Sequence, residues 1–454
     1  MNTRVMIASI IRDAFKKAIA DGKLPACDIP DIKVEYPKEQ KFGDYSTPIA
    51  LESSKILRRS PMDTGAVLKD YIEKSEIISE VEVARPGFIN VFLSFDHIYG
   101  NMHSILSDPE NCGRSVKDRP RRVNVEFVSA NPTGPLVIVS ARAAALGDAL
   151  ANLIEMSGDI VDREFYVNDY GNQVDLFGKS VLARMREIQG KPFVFPEDGY
   201  QGEYVRDIAQ KILDECGPEL DAITGEEDLI AAVAQKAIDH NIATQQRDMH
   251  EFNVDFKTWF RERKLHENGD VMAALDFLAQ RNVIYEQDGK KVFSSTAYGD
   301  DKDRVVVRDD GRPTYLLADI AYHLDKIKRG YDLILDIWGP DHHGYIARLS
   351  GAMTAMEHGG DSFRVLIAQQ VNLIMEGEAV KMSKRLGKFS TMRDLIDEIG
   401  VDVARYFFTM RSMDSHLDFD LSLAKKESSE NPVFYLQYAH ARICSLFREA
   451  EKRG

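Results

Sequence analysis

Three stretches of this chain place chemically active residue types at spacings that suit work on phosphates. Lys381-Met382-Ser383-Lys384-Arg385-Leu386-Gly387-Lys388 packs four cations into eight residues. Flexible lysines of this kind hold a polyphosphate while charge develops in phosphoryl or nucleotidyl transfer, although a solvated surface run has the same composition. Ser129–Arg142 reads SANPTGPLVIVSAR and leads from a strand into a helix. The free N–H groups and dipole of that helix start favour an anion, and a plain tight βα turn would look alike. Trp338-Gly339-Pro340-Asp341-His342-His343-Gly344 sets a carboxylate and two imidazoles at a strand end. Asp341 suits a ribose hydroxyl pair and the histidines suit phosphate; an N-cap aspartate beside two half-buried histidines is the plainer alternative. Adjacent histidines point about 100° apart on a helix, so no metal site is expected. Glu126 ends a strand, and Asp319 follows Tyr315 by one helical turn. Convergent acids would form a negative pocket, in which a guanidinium pairs bidentately with a carboxylate and a tyrosine ring covers its face.

These residues meet only if the elements carrying them share one edge of a sheet. In an open parallel sheet, ligands sit at the carboxyl ends of the strands, where strand order reverses. The loops 129–142, 339–345 and 379–390 are expected at such ends. VNVEFV, the Ala- and Leu-rich helix closing at Gly158, and the strand Arg163 to Val167 form a parallel βαβ unit. Residues 178–300 are mostly charged, amphipathic helix and read as an insertion. The pattern resumes with a hairpin in RVVVRDDGRPTYLLAD, the strand LILDIWG, a pair of strands in FRVLIAQQVNLIMEGEAVKM, and helices from Thr391 onward. Ahead of this, 4–21 reads as a helix closed by Gly22, and VEVARPGFINVFLSF as two strands broken at Pro86-Gly87, so 1–107 is expected to be a small α+β module. The polar stretch from Asp108 to Arg122 is read as a linker.

The 454 residues suggest two to four domains at the usual ~100–200 residues each. A net charge of −15 excludes a general basic coat for nucleic acid, though not a local basic patch. No membrane-length apolar run occurs, and the N-terminal segment carries Arg12, Asp13, Lys16 and Lys17 within its periodicity, unlike a signal peptide. Cys27, Cys112, Cys216 and Cys444 form no CxxC, so free thiols and a cytoplasmic setting are expected.

Taken together, the motifs resemble those of class I aminoacyl-tRNA synthetases and, within them, bacterial-type arginyl-tRNA synthetases. FGDYSTPIA, RPGFINVFL, VEFVSANPTGPL, EFYVNDYGNQV, YQGEY, DDGRPTYLLADIAYHLDK, DIWGPDHHGYIARL, KMSKRLGKFSTMRDLIDEIGVDVARYFF and NPVFYLQYAHARI follow in the family's order over nearly all of the chain. The resemblance implies a Rossmann-type catalytic domain (120–177 and 301–390) with a helical insertion (178–300), an N-terminal tRNA-contacting module (1–107), a helical stem-contact region (391–430) and the first helix (431–454) of an anticodon-binding domain. It implies ATP-dependent activation of L-arginine and transfer to tRNA(Arg), with Mg2+ accompanying ATP, by a cytoplasmic protein expected to be a monomer. By position, Glu126, Asn131, Tyr315, Asp319 and Gln370 resemble residues that hold arginine. Gly134, Gly339, Asp341, His342 and Ser383 resemble residues at ATP, and Lys381 and Lys384 the phosphate clamp.

Two features depart from the family pattern. Where a HIGH tetrapeptide is expected, Val137-Ile138-Val139-Ser140 stands. Losing one phosphate donor of that kind costs roughly 2.7–4 kcal/mol in comparable sites. Ser140 and Arg142 are expected to compensate, with His342 or His343 as a further donor. The chain also stops at Gly454, inside the first helix of the expected anticodon-binding domain, which implies a shortened form that binds tRNA weakly and leaves Val433, Leu436, Ile443 and Leu446 without partner helices. A non-catalytic, synthetase-like arginine- or tRNA-binding protein is the alternative reading.

Overall fold

The computed structural model describes residues 3–72, 76–380 and 391–454. The chain divides into two compact units, Met1–Gly113 and Arg114–Gly454. In the first, α1 (Thr3–Ala20) buries Ile7, Ile11, Ala14, Phe15 and Ala18, the 3.6-residue stripe of its sequence. It packs on α2 (Pro61–Tyr71), and a three-stranded antiparallel sheet of β1 (Tyr45–Thr47), β2 (Ile78–Ala84) and β3 (Phe88–Leu93) has β3 in the centre.

The second unit is built on a five-stranded, wholly parallel sheet. Its strands are β4 (Arg122–Glu126), β5 (Ile160–Val167), β6 (Thr258–Arg261), β10 (Leu333–Trp338) and β11 (Phe363–Ile367), in the order β11-β10-β4-β5-β6. Val123, Val125, Phe127, Ile334, Leu335 and Ile337 are buried, as strands covered on both faces require. Helix α3 (Ile138–Met156) crosses over from β4 to β5. It lies close because Gly147 has no side chain: a Cβ there would come 2.3 Å from the Phe127 ring. Since β5 and β6 extend the sheet on one side of β4 and β10 lies on the other, strand order reverses between β4 and β10.

Several expectations need correction. The stretch 178–300 is not purely a helical insertion. Helices α4 (Asn172–Ile188), α5 (Glu203–Asp221) and α6 (Glu226–Glu251) pack together, but the next segment supplies β6 to the central sheet. After α7 (Asp270–Gln280), β7 (Ile284–Gln287), β8 (Lys290–Phe293) and β9 (Arg304–Val307) form a separate antiparallel sheet. Short apolar runs between helices hid these strands, because their alternation is only a few residues long. The expected hairpin after β9 pairs only Val307 with Pro313, since α8 (Tyr315–Lys328) begins at once. The FRVLI…VKM stretch contains three strands, not two. Only β11 belongs to the parallel sheet; β12 (Val371–Met375) and β13 (Glu378–Val380) join β14 (Leu417–Asp420), a strand in a region expected to be wholly helical. The 379–390 segment therefore starts on an edge strand of this smaller sheet, and Lys381, Ser383 and Lys384 lie outside the described residues. Among the described residues, no helix is long and apolar enough to cross a membrane.

Candidate active site

A cleft of about 480 Å³ opens at the carboxyl ends of β4 and β10, at the point where strand order reverses. Glu126, Asn131, Ser140, Asp319, Gly339, Asp341 and His342, singled out in the sequence, all line it. So do Tyr166, His323, Asp336 and Tyr345, which were not.

Strand register sets the chemistry of its floor. Glu126 of β4 lies beside Glu164 of β5 on one side and Asp336 of β10 on the other. Neighbours in parallel register point to the same face, so three carboxylates stand in a row, an arrangement that requires cations. Helix α8 supplies them. Lys326, fully buried, donates to Glu126 Oε2 at 2.6 Å and to Asp336 Oδ1 at 2.9 Å. Arg329 grips both oxygens of Glu164 at 2.7 and 2.8 Å, where Tyr322 also donates at 2.9 Å. His323 bridges the Asp319 carbonyl at 2.7 Å and Asp336 Oδ2 at 2.8 Å. Burial pushes Glu126 up and Lys326 opposes that rise, while Lys326 and His323 outweigh burial at Asp336 and bring it down to about 2. Beyond Glu126 the chain turns sharply, with Val128 at φ 72 and Ser129 at φ 37, strained values for residues with a side chain. The turn brings Ser129 Oγ back to donate to Glu126 Oε1 at 2.8 Å while accepting from the Tyr166 amide at 3.1 Å.

Asp319, one turn ahead of His323 on α8, meets a hydroxyl: Tyr345 donates to its Oδ2 at 2.5 Å. Burial, reinforced by the charges of Glu126 and Asp336, pushes its carboxyl up to about 6 against the pull of Tyr345 and His323. A carboxylate held this way in a shielded cleft gains by taking up a guanidinium. The start of α3, where Val137 offers no side-chain cap and Ser140 faces the cleft, and the 3₁₀ turn Pro340–Tyr345, with Asp341 and His342 exposed, also border it.

Four assigned residues are placed otherwise. Tyr315 is not among the lining residues and is 73% exposed. Helical side chains lean toward the N-terminus, so the first residue of α8 projects past the helix end, and Tyr345 supplies the hydroxyl beside Asp319 instead. Arg142 is not free for phosphate: its buried guanidinium donates to the carbonyls of Gln369, Gln370, Ser412 and Ser415 at 2.7–3.2 Å. Gln370 precedes β12 rather than lying in a strand; its side chain is exposed, and its carbonyl serves Arg142. Gly134 does not line the cleft. A Cβ there would lie 3.3 Å from Tyr204 Oη, and its carbonyl accepts from Gln245 at 3.0 Å.

That last contact belongs to a clamp built by the insertion helices. Asn241 donates to the carbonyl of Pro132 at 2.8 Å, Tyr204 to that of Thr133 at 2.9 Å, and Gln245 to that of Gly134. Tyr204 on α5 and Asn241 and Gln245 on α6 thus fix the turn between Asn131 and α3. Some signals for the missed residues exist. Asp336 is a lone charge within the apolar strand LILDIW, and His323 and Lys326 follow Asp319 at helical spacing.

Comparison with known proteins follows the same lines. A family model described as the arginyl tRNA synthetase N terminal domain matches residues 6–93, and one described as the catalytic domain of class I (R) tRNA synthetases matches residues 101–414. An arginine–tRNA ligase of Leptospira interrogans is 51% identical over 448 residues, covering 92% of this chain and 76% of its own length. One from Desulforamulus reducens is 42% identical, covering 100% of this chain and 81% of its own. A crystal structure of a putative arginyl-tRNA synthetase from Campylobacter jejuni superposes with a TM-score of 0.71 at 39% identity, covering 78% of this chain and 77% of that one. The arginyl-tRNA synthetase of Thermus thermophilus, 19% identical, shares the fold with a TM-score of 0.67, covering 98% of this chain and 82% of its own. With both halves of its sequence matched and the cleft at the strand-order reversal, the chain belongs to the class I arginyl-tRNA synthetase family.

Proposed function

We propose that this chain is an arginine–tRNA ligase whose cleft takes arginine and ATP side by side. The arginine carboxylate attacks the α-phosphate of ATP to give arginyl-adenylate and pyrophosphate, and a terminal ribose hydroxyl of tRNA(Arg) then accepts the arginyl group. The observation that supports the reading is the pairing of Asp319 with Tyr345 in a cleft that is also lined by Ser140 at the start of α3 and by Asp341 and His342. Asp319 receives the guanidinium, and Glu126 and Asn131 the α-ammonium. The phosphates lie toward α3 and His342, where Ser140 and His342 take the place of the absent HIGH histidines, and Asp341 meets the ribose. Lys381, Ser383 and Lys384 clamp the phosphates by virtue of the KMSK motif. Work of this kind rests on positioning and electrostatics rather than on a covalent bond to the enzyme.

Mg2+ enters with the ATP phosphates as their counter-ion. Glu126, His323 and Asp336 bring ligand atoms within 4.8 Å of one another, but the Lys326 ammonium already stands between the carboxylates, so that cluster does not suit a divalent ion. The first unit contacts tRNA, and the enzyme works as a cytoplasmic monomer. The test is arginine-dependent ATP–pyrophosphate exchange with and without tRNA(Arg). Exchange in the presence of tRNA is expected; its absence there would favour the non-catalytic alternative.

A further inference from the structure

In the row Glu164, Glu126, Asp336, the guanidinium of Arg329 serves Glu164 and, on its own helix, Asp325, whereas Lys326 serves two carboxylates of the row, both lining the cleft. Lys326 itself is fully buried, with its ammonium also 4.4 Å from the centre of the Tyr322 ring. It therefore does not touch a ligand; it acts on the groups that do. Asp319, on the same helix face, is the lining carboxylate held by a hydroxyl rather than by an ammonium or guanidinium.

We propose that Lys326 is a positioning residue for amino-acid activation: seated between Glu126 and Asp336 beneath the cleft, its ammonium holds Glu126 as an oriented carboxylate for the substrate's α-ammonium and leaves Asp319 to meet the guanidinium. The inference rests on the arginine-pocket reading above. The charge balance explains why a lysine is needed. Two adjacent carboxylates cannot both stay ionised in a buried floor without a shared cation, and the one nearer neutrality, Glu126, would take a proton and lose its hold on an ammonium. Attraction to Glu126, Asp336 and Glu164 drives Lys326 upward against its own burial, so the ammonium persists across the working pH range. Without it, the charged groups left around Glu126 are Asp336 and Asp319, which repel its charge, and the nearby His323, with the neutral Ser129 hydroxyl as its remaining donor and Tyr166 and Tyr322 close by.

The experiment compares the full chain with Lys326→Met, Lys326→Arg and Glu126→Gln in arginine-dependent exchange from about pH 6 to pH 9. Lys326→Met is expected to raise KM for arginine about tenfold or more at neutral pH, with the increase shrinking as pH climbs, while KM for ATP stays within about twofold. Lys326→Arg keeps the parent profile. A fall in kcat or melting temperature with an unchanged pH dependence of the arginine KM would reduce Lys326 to packing and overturn the inference. Glu126→Gln separates the two levels. An unaltered arginine KM there contradicts the pocket reading, whereas a raised KM there with a flat Lys326→Met profile contradicts only the role of Lys326. Should Lys326→Met fail to fold, 13C NMR of the parent decides, with the Glu126 carboxyl signal identified by its loss in Glu126→Gln. An ionised carboxyl at neutral pH supports the inference, and a protonated one overturns it.

Discussion

The hydroxyl of Tyr345 lies 2.5 Å from the carboxylate of Asp319, joining the turn after β10 to the helix beneath it. The bond lowers the pKa of a carboxyl that burial has pushed up to about 6. Arginine needs the ionised form, so binding strengthens as pH rises through about 6 and, near that pH, releases a proton. Calorimetry of arginine binding in buffers of different ionisation enthalpy should register this release, and at pH 8 it should vanish. Tyr345→Phe removes the donor, moves the midpoint upward and weakens arginine binding several-fold at neutral pH. An unmoved midpoint would show that the hydroxyl does not tune Asp319.

Arg142 should behave as a structural clamp rather than as a phosphate ligand. It ties α3 to the carbonyls at 369–370 and 412–415. Arg142→Ala removes a buried guanidinium that ties four carbonyls together and is expected to cost about 3 kcal/mol or more of stability, read from denaturant unfolding. Arg142→Lys should recover only part, since an ammonium cannot span four acceptors with the guanidinium's geometry. A stable Arg142→Ala enzyme with a raised KM for ATP alone would return Arg142 to the phosphate site.

Legibility followed physical range. The parallel βαβ unit and the loops after β4 and β10 were readable because apolar runs, turn residues and helix periodicity are local signals. The strand β6 was not, since its four residues gain their identity only by pairing with β5 across the intervening helices. Asp319, Glu126 and Asp341 could be named from chemistry plus resemblance. Lys326, which neutralises two of the lining carboxylates, could not, because its role depends on the register that puts Glu126 beside Asp336. Tyr315 shows a related limit: helical spacing relates it to Asp319, but as the first residue of α8 it stands 73% exposed and outside the cleft lining.

The clamp on residues 132–134 makes the insertion helices part of the site. Asn241→Leu removes the bond to the Pro132 carbonyl, and Tyr204→Phe the bond to that of Thr133. Each should lower kcat/KM about three- to tenfold, corresponding to about 0.5–1.5 kcal/mol per lost bond, with losses in the double variant exceeding either alone. Unchanged kinetics in both single variants would show that the turn holds its shape without these helices.

Lys384 lies outside the described residues, and the expectation for it comes from its motif. Lys384→Ala should slow single-turnover adenylate formation about 100-fold while leaving arginine affinity nearly unchanged, as for a group that acts mainly on developing charge. A large loss of arginine affinity would place that segment in the amino-acid pocket.

Asp319→Asn bears most directly on the whole account. The substitution keeps shape and removes charge, and because burial lifts the native carboxyl from its ordinary value to about 6, the folded state binds the extra proton and loses stability as pH rises from about 4 to about 6. At pH 8 the variant should therefore be about 3 kcal/mol more stable than the parent. In ATP–pyrophosphate exchange it should raise KM for arginine about 100-fold or more and leave KM for ATP within about threefold. Equal losses for both substrates, or an arginine KM that does not move, would contradict a cleft in which Asp319 receives the guanidinium.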